Sequence, residues 1–101
     1  MAARKRLEWT DTAKAELAES LSWYAIRNRA AAQRIKTAIN SAALGLIDPI
    51  VPVLGKPGIV AGTQEMVVGK PAPFTLVYRC KPDAPDVLEI LHVMHHARDY
   101  P

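Results

Sequence analysis

The sequence predicts an α+β fold in which an antiparallel helical hairpin packs on an antiparallel β-sheet, in the order β-α-α-β-β-β. Two observations carry this. The first half holds two consecutive apolar stripes of helical period, and the second half holds three strand-like runs joined by short connections rich in Gly and Pro. Length sets the frame: 101 residues allow one compact domain, taken as residues 1–101.

The elements follow in order. Arg4–Trp9 alternates basic and apolar residues, the pattern of a short edge strand. Thr10-Asp11-Thr12 offers N-cap oxygens, after which Ala13, Leu17, Leu21, Tyr24 and Ala25 form one helical stripe. Asn28 breaks the pattern. Ala31, Ile35, Ala38, Ile39, Ala42 and Leu46 form a second stripe, ended at Asp48-Pro49 because proline disfavours helical backbone in the residue before it. So short a joint makes the two helices antiparallel neighbours. Residues 49–62 hold three prolines and three glycines, too many for a helix or a central strand. Thr63–Val68, Phe74–Cys80 and Val87–His95 then read as an antiparallel meander with the helices on one face. Trp9, Trp23 and Tyr24 are expected to fill the helix–sheet core, and Cys80 to be a small buried hydrophobe.

Composition narrows the function classes. Half the residues are hydrophobic, which suits a folded domain, yet every apolar run is short and interrupted, so no membrane span is expected. The N-terminal stretch is basic but lacks the apolar core of a secretory signal, and a lone cysteine makes no internal disulfide. A cytoplasmic location is expected. The net charge of +3 is unevenly spread: residues 1–56 carry nine basic and five acidic groups, residues 57–101 four and five. Nothing acidic lies between Glu19 and Asp48, where Arg27, Arg29, Arg34 and Lys36 fall. Such a cluster attracts nucleic acid, ribosome or an acidic protein segment, or is simply a solvated helix face.

The candidate chemical groups lie mostly near the C-terminus. Strand alternation places His92 and His96 on one face and His95 on the other. No Cys/His partner stands at ligand spacing, so neither a metal nor a cofactor is expected. His95 or His96 could act as a general acid or base, or hold a structural hydrogen bond. Arg79 reads either as a phosphate or target contact or as an ion-pair partner of Glu65 or Glu89. Arg98 beside Tyr100 suits a binding tip, or a terminal salt bridge with Asp99. Lys56 sits in a Pro/Gly loop with no phosphate-loop signature, which favours a shaped recognition loop.

In order, the chain carries Trp9-Thr10 before a helix with Trp23-Tyr24, the close Leu46-Ile47-Asp48-Pro49, Gly55-Lys56-Pro57-Gly58, Gly62-Thr63-Gln64-Glu65, Phe74–Arg79, and Leu88–Pro101 with its Val93-Met94-His95-His96-Ala97-Arg98-Asp99. The order of these blocks resembles the RelE/ParE family of bacterial type II toxins. The resemblance implies a cytosolic toxin silenced by a small antitoxin encoded beside it. RelE-like members cleave mRNA in the ribosome with a cationic set: two lysines on the first meander strand, an arginine opening the second, an arginine after the last and a tyrosine near the end. Here Gln64-Glu65-Met66-Val67 holds no lysine, Thr75 stands at the arginine position, and His95-His96 replaces a Lys/Arg pair, although Arg98 and Tyr100 remain. The ParE-like branch, whose members poison DNA gyrase, is the nearer match. The function expected is therefore a gyrase-poisoning toxin that performs no chemistry itself, with Lys56, Gln64, His92 and Arg98 as target contacts. Gln64 and His92 occupy positions that are often Arg in that branch. The alternatives are a ribosome-dependent mRNA endonuclease using His95, His96, Arg79 and Tyr100, or a degenerate, inactive family member. An acidic C-terminal antitoxin segment, folding as it binds, is expected on the Ala-rich helical surface with Arg4, Arg27 and Arg34 as charge partners, giving a hetero-oligomer.

Overall fold

The chain runs β1 (Arg6–Trp9), α1 (Asp11–Arg27), α2 (Arg29–Gly45), β2 (Lys56–Pro57), β3 (Gln64–Gly69), β4 (Ala72–Lys81) and β5 (Ala84–His95). The structure, a computed structural model, describes residues 5–48 and 55–96, so Arg4, Arg98 and Tyr100 lie outside the described residues.

Thr10 starts α1 from extended backbone, its Oγ1 accepting the Ala13 N–H at 3.1 Å. Asn28 alone makes the joint between the helices. Its N–H closes α1 on the Tyr24 carbonyl at 2.7 Å, and its Oδ1 opens α2 by accepting the Ala31 N–H at 3.1 Å. Helix α2 stops at Gly45, three residues short of the expected end. The remaining turn is tighter: Leu46, Ile47 and Asp48 donate to the carbonyls of Ala43, Leu44 and Gly45, three residues back rather than four.

The five strands form one sheet in the order β1-β5-β4-β3-β2. Neighbours are antiparallel except β1, which runs parallel to β5 with Leu7 opposite Leu88 and Trp9 opposite Ile90. The sheet is therefore mixed, not the antiparallel sheet expected. Alternation in an edge strand carries no information on direction, because the partner lies at the other end of the chain. A second addition is β2, inside the stretch expected to be loop. Pro57 is tolerated there because an edge strand has one side free of ladder bonds.

A bulge decides which face the histidines occupy. Val77 pairs with His92 while Tyr78 pairs with Ile90, so Leu91 is an extra residue on β5. The slip lets Leu88 and Ile90 before it, and Val93 and His95 after it, all face the helices, and turns His92, Met94 and His96 to the open face. The core joins Phe74, Leu76 and Tyr78 of β4 and Leu88, Ile90 and Val93 of β5 to Ala13, Ile35, Ile39 and Ala43 of the hairpin. Helix α1 packs on β5, and α2 on β4 and β3.

Two core expectations are corrected. Trp9 and Tyr24 pack against the core, but Trp23 is 41% exposed. Its neighbour Tyr24 takes the inward direction, and the Arg27 guanidinium covers the Trp23 ring 3.8 Å from its centroid. Cys80 is exposed rather than buried, near the end of β4 beside the turn into β5.

Glu8 and Glu89 face each other across β1 and β5, an unfavourable pair of like charges. Lys81 compensates, its Nζ 3.1 Å from Glu8 and 4.0 Å from Glu89, and Arg79 Nε reaches Glu89 at 3.2 Å. The Glu8 hydrogen bond, then its charge, hold the Lys81 ammonium above the usual lysine range.

At the other side of the sheet the Tyr78 hydroxyl accepts the Gly55 N–H at 2.8 Å. A Cβ at Gly55 would collide with the Glu65 carbonyl and the Tyr78 hydroxyl, so only glycine fits. Burial pushes the Tyr78 phenol above its ordinary value, against the opposing effect of the Gly55 hydrogen bond. Above about pH 10 the unfolded phenol ionises while the folded one keeps its proton. Stability should thus hold steady below about pH 10 and fall as pH rises through the folded value. Urea unfolding from pH 7 to 11 checks this. Tyr78→Phe should flatten the alkaline limb and cost about 1 kcal/mol at neutral pH through the lost acceptor.

Candidate functional site

Strand β1 is only four residues long, so β5 loses its neighbour beyond Ile90. Side chains take over from backbone there. The Thr10 N–H donates to the Ile90 carbonyl at 3.0 Å, and Thr10 Oγ1 donates to the Leu91 carbonyl at 3.1 Å. Six residues after Thr10, in the second turn of α1, Glu16 Oε1 accepts the Val93 N–H at 3.0 Å. The same carboxylate lies 3.3 and 3.4 Å from His92 Nδ1, which donates to it when that nitrogen carries the proton. Glu16 thus stands where a strand would be and fixes the orientation of His92.

Beside this pair the chain from Gly58 to Thr63 folds into a tip. The Gly58 N–H reaches the Thr63 carbonyl at 2.9 Å, and Thr63 Oγ1 donates to the Val60 carbonyl at 2.7 Å. Gly62 supplies the positive φ of +83° that this turn needs. Below the tip, Glu65 Oε2 accepts the Ile59 N–H at 3.2 Å. Together these elements enclose a cleft of about 410 Å³ on the open face, with Val77 and Met94 as walls and Glu16 and Glu65 among its lining.

The sequence-predicted residues fall in separate places. His92 lines this cleft. Lys56 is exposed on the edge strand opposite Glu65, and Gln64 is exposed at the start of β3. His95 is buried on the helix side, its Nε2 2.7 Å from the Tyr24 hydroxyl and its ring edge-on to Phe74. His96 is on the open face, its Nε2 2.8 Å from Thr75 Oγ1. Arg79 is paired with Glu89, one of the two partners expected for it. It is four residues along β4 from Thr75, about 13 Å at a strand's rise. His95, His96 and Arg79 are therefore not brought to a common point. Arg27 stacks on Trp23 and donates to its carbonyl at 2.9 Å, while Arg34 is exposed on α2.

A second concavity lies between the helices. It measures about 290 Å³, with a floor of Leu21, Ala25 and Ala32 and a rim that includes Arg29 and Lys36. Its basic rim contrasts with the acidic lining of the sheet-side cleft.

Sequence reasoning missed Glu16 and the cleft role of Glu65. Glu16 carries no local signal, since its partners are more than seventy residues away. Glu65 did carry one: it is an acid beside the apolar Met66-Val67-Val68 of its strand, and such a residue in a strand marks either an exposed face or a polar site. Among the described residues no group of three or more His, Cys, Asp or Glu side chains could hold a metal, and no helix is long and apolar enough to cross a membrane.

Residues 7–100 match the family model for the ParE toxin of type II toxin–antitoxin systems, parDE. A chain from a solved structure of a chromosomal ParDE TA system from P. aeruginosa superposes with a TM-score of 0.76 at 22% identity, covering 91% of this chain and 96% of that one. At that identity the likeness speaks to the fold. No curated protein matches.

Glu16→Ala should leave the Val93 N–H without its acceptor and cost about 1–3 kcal/mol, with Glu16→Gln recovering most of it. Denaturant unfolding gives the stability, and amide exchange at Val93 should accelerate selectively in the alanine variant.

Proposed function

This chain belongs to the ParE toxin family of type II toxin–antitoxin systems, and from that premise we propose that residues 1–101 act as one toxin domain that arrests growth by binding DNA gyrase in the cytoplasm, silenced by direct contact with a cognate antitoxin. The observation that carries the choice of target is the dispersal of the groups that mRNA cleavage would need. Cleavage requires a base, an acid and a cation converging on one phosphate. Here His95 faces Tyr24 beneath the helices, His96 faces Thr75 on the other side of the sheet, and the Arg79 charge is taken up by Glu89. Binding to a protein target asks for no such convergence. Lys56, Gln64 and His92, exposed along the β2–β3 edge and the open face, are proposed as target contacts together with Arg98.

For the antitoxin, the groove between the helices supports an acidic amphipathic segment that orders as it binds. The alanines on its floor allow close approach of a partner backbone, and the basic rim gives the charge preference. Arg29 and Lys36 join Arg27, Arg34 and Arg4 as proposed charge partners.

Two experiments test these readings. Brief expression of the chain without antitoxin should produce DNA breaks and a damage response with intact mRNA. Cleaved mRNA over unbroken DNA would assign the endonuclease mechanism instead, and normal growth an inactive member. Reversing Arg27, Arg29, Arg34 and Lys36 to glutamate should weaken binding of the co-encoded antitoxin about tenfold or more at low salt, with the difference shrinking as ionic strength rises.

A further inference from the structure

We propose that the open-face cleft binds an arginine side chain presented by a partner polypeptide. At about 410 Å³ it falls within the range of sites that hold a ligand. Val77, Met94, Ile59 and Val60 make its walls apolar, which suits the methylene stem of a long basic side chain.

The cleft is lined by two carboxylates, Glu16 and Glu65, and by one imidazole, His92, which faces Glu16. Glu65 is only 7% exposed, and among the described residues its carboxylate accepts one hydrogen bond, from the Ile59 N–H to Oε2. Among the described residues no Lys, Arg or His stands within ion-pair distance of it. Lys56 is its neighbour across the β2–β3 ladder, yet the two form no ion pair. A buried carboxylate without a counter-charge is unfavourable, and a cation entering from outside removes that penalty. Glu16 adds a second carboxylate to the same lining, although part of its charge is directed to the Val93 N–H and His92. A guanidinium fits such a site better than an ammonium: it is planar, carries five donors and is less strongly hydrated.

The occupant is a polypeptide rather than a free amine because the apolar surface continues past the cleft. Ile59 is 87%, Val60 67% and Val67 55% exposed on this side of the sheet. Apolar residues flanking an arginine would cover that rim, whereas a small cation would leave it in water. The cleft and the basic helix groove therefore select partner segments of opposite charge.

The test uses the isotopically labelled full chain, titrated with capped Val-Arg-Val, the same tripeptide with norleucine at its centre, and agmatine. The arginine tripeptide should shift the amides of Ile59, Glu65 and Val93 and bind about tenfold or more tighter than the norleucine tripeptide, the worth of a charge-assisted hydrogen bond. Glu65→Gln keeps an acceptor for the Ile59 N–H and should reduce that preference to less than about twofold. If Glu65→Gln loses its folded spectrum, Glu16→Gln takes its place and should also weaken the preference. Equal binding of the two tripeptides, agmatine binding as tightly as the arginine tripeptide, a preference unchanged in the folded variant, or no shifts at these amides would each overturn the assignment.

Discussion

The parallel pairing of β1 with β5 is the constraint on which the rest of this molecule depends. It joins the two ends of the described chain and fixes where α1 begins, since Thr10 is bonded to β5 and caps the helix at once. Because β1 is short, the same helix brings Glu16 back to β5 six residues later. Strand, cap and carboxylate thus form one continuous line of hydrogen bonds along β5. The position of the helical hairpin over the sheet follows from it. So does the room for the sheet-side cleft, since a longer β1 would occupy the edge where Glu16 and His92 stand.

That line also separates the two surfaces by charge. On the open face, the like-charged neighbours Glu8 and Glu89 draw in Lys81 and Arg79, which leaves those cations engaged within the sheet. Two other acidic groups line the cleft: Glu16, which holds His92 and the Val93 N–H, and Glu65. The run of cations without an intervening acid, Arg27, Arg29, Arg34 and Lys36, lies on the helical hairpin. A small net charge thus conceals two surfaces of opposite preference, and this arrangement suits a protein that recognises other proteins. The family fixes the type of system; the distribution of charge bears on which face meets which partner.

The three histidines show how neighbouring residues with one chemistry come to differ. His92 is held by Glu16 and His95 by Tyr24, both of α1, and His96 by Thr75 of β4, on two faces of the sheet. The Leu91 bulge is what shifts the last turn of β5 into this phase. Without it, His92 would point into the core that Val93 now fills.

Local pattern determined much of this. The two helical stripes, the Thr10 cap, the break at Asn28, the three meander strands and the opposite faces of His95 and His96 all depend on periodicity and capping chemistry within a few residues. Those features were legible because each is settled by neighbours in sequence. Tertiary structure alone decided the direction of β1, the short β2, the outward turn of Trp23, the exposure of Cys80 and the cleft built from Glu16 and Glu65. Each of these depends on which distant segment arrives alongside. An edge strand's alternation is the same whether its partner runs parallel or antiparallel, and a glutamate in a helix reads the same whether it faces water or an orphaned strand. The basic cluster by itself left nucleic acid, ribosome, an acidic protein segment and a merely solvated helix face all open; folding sets Arg29 and Lys36 on a groove of the hairpin and Glu16 and Glu65 in a cleft of the sheet, because only the packed chain determines which charges neutralise one another.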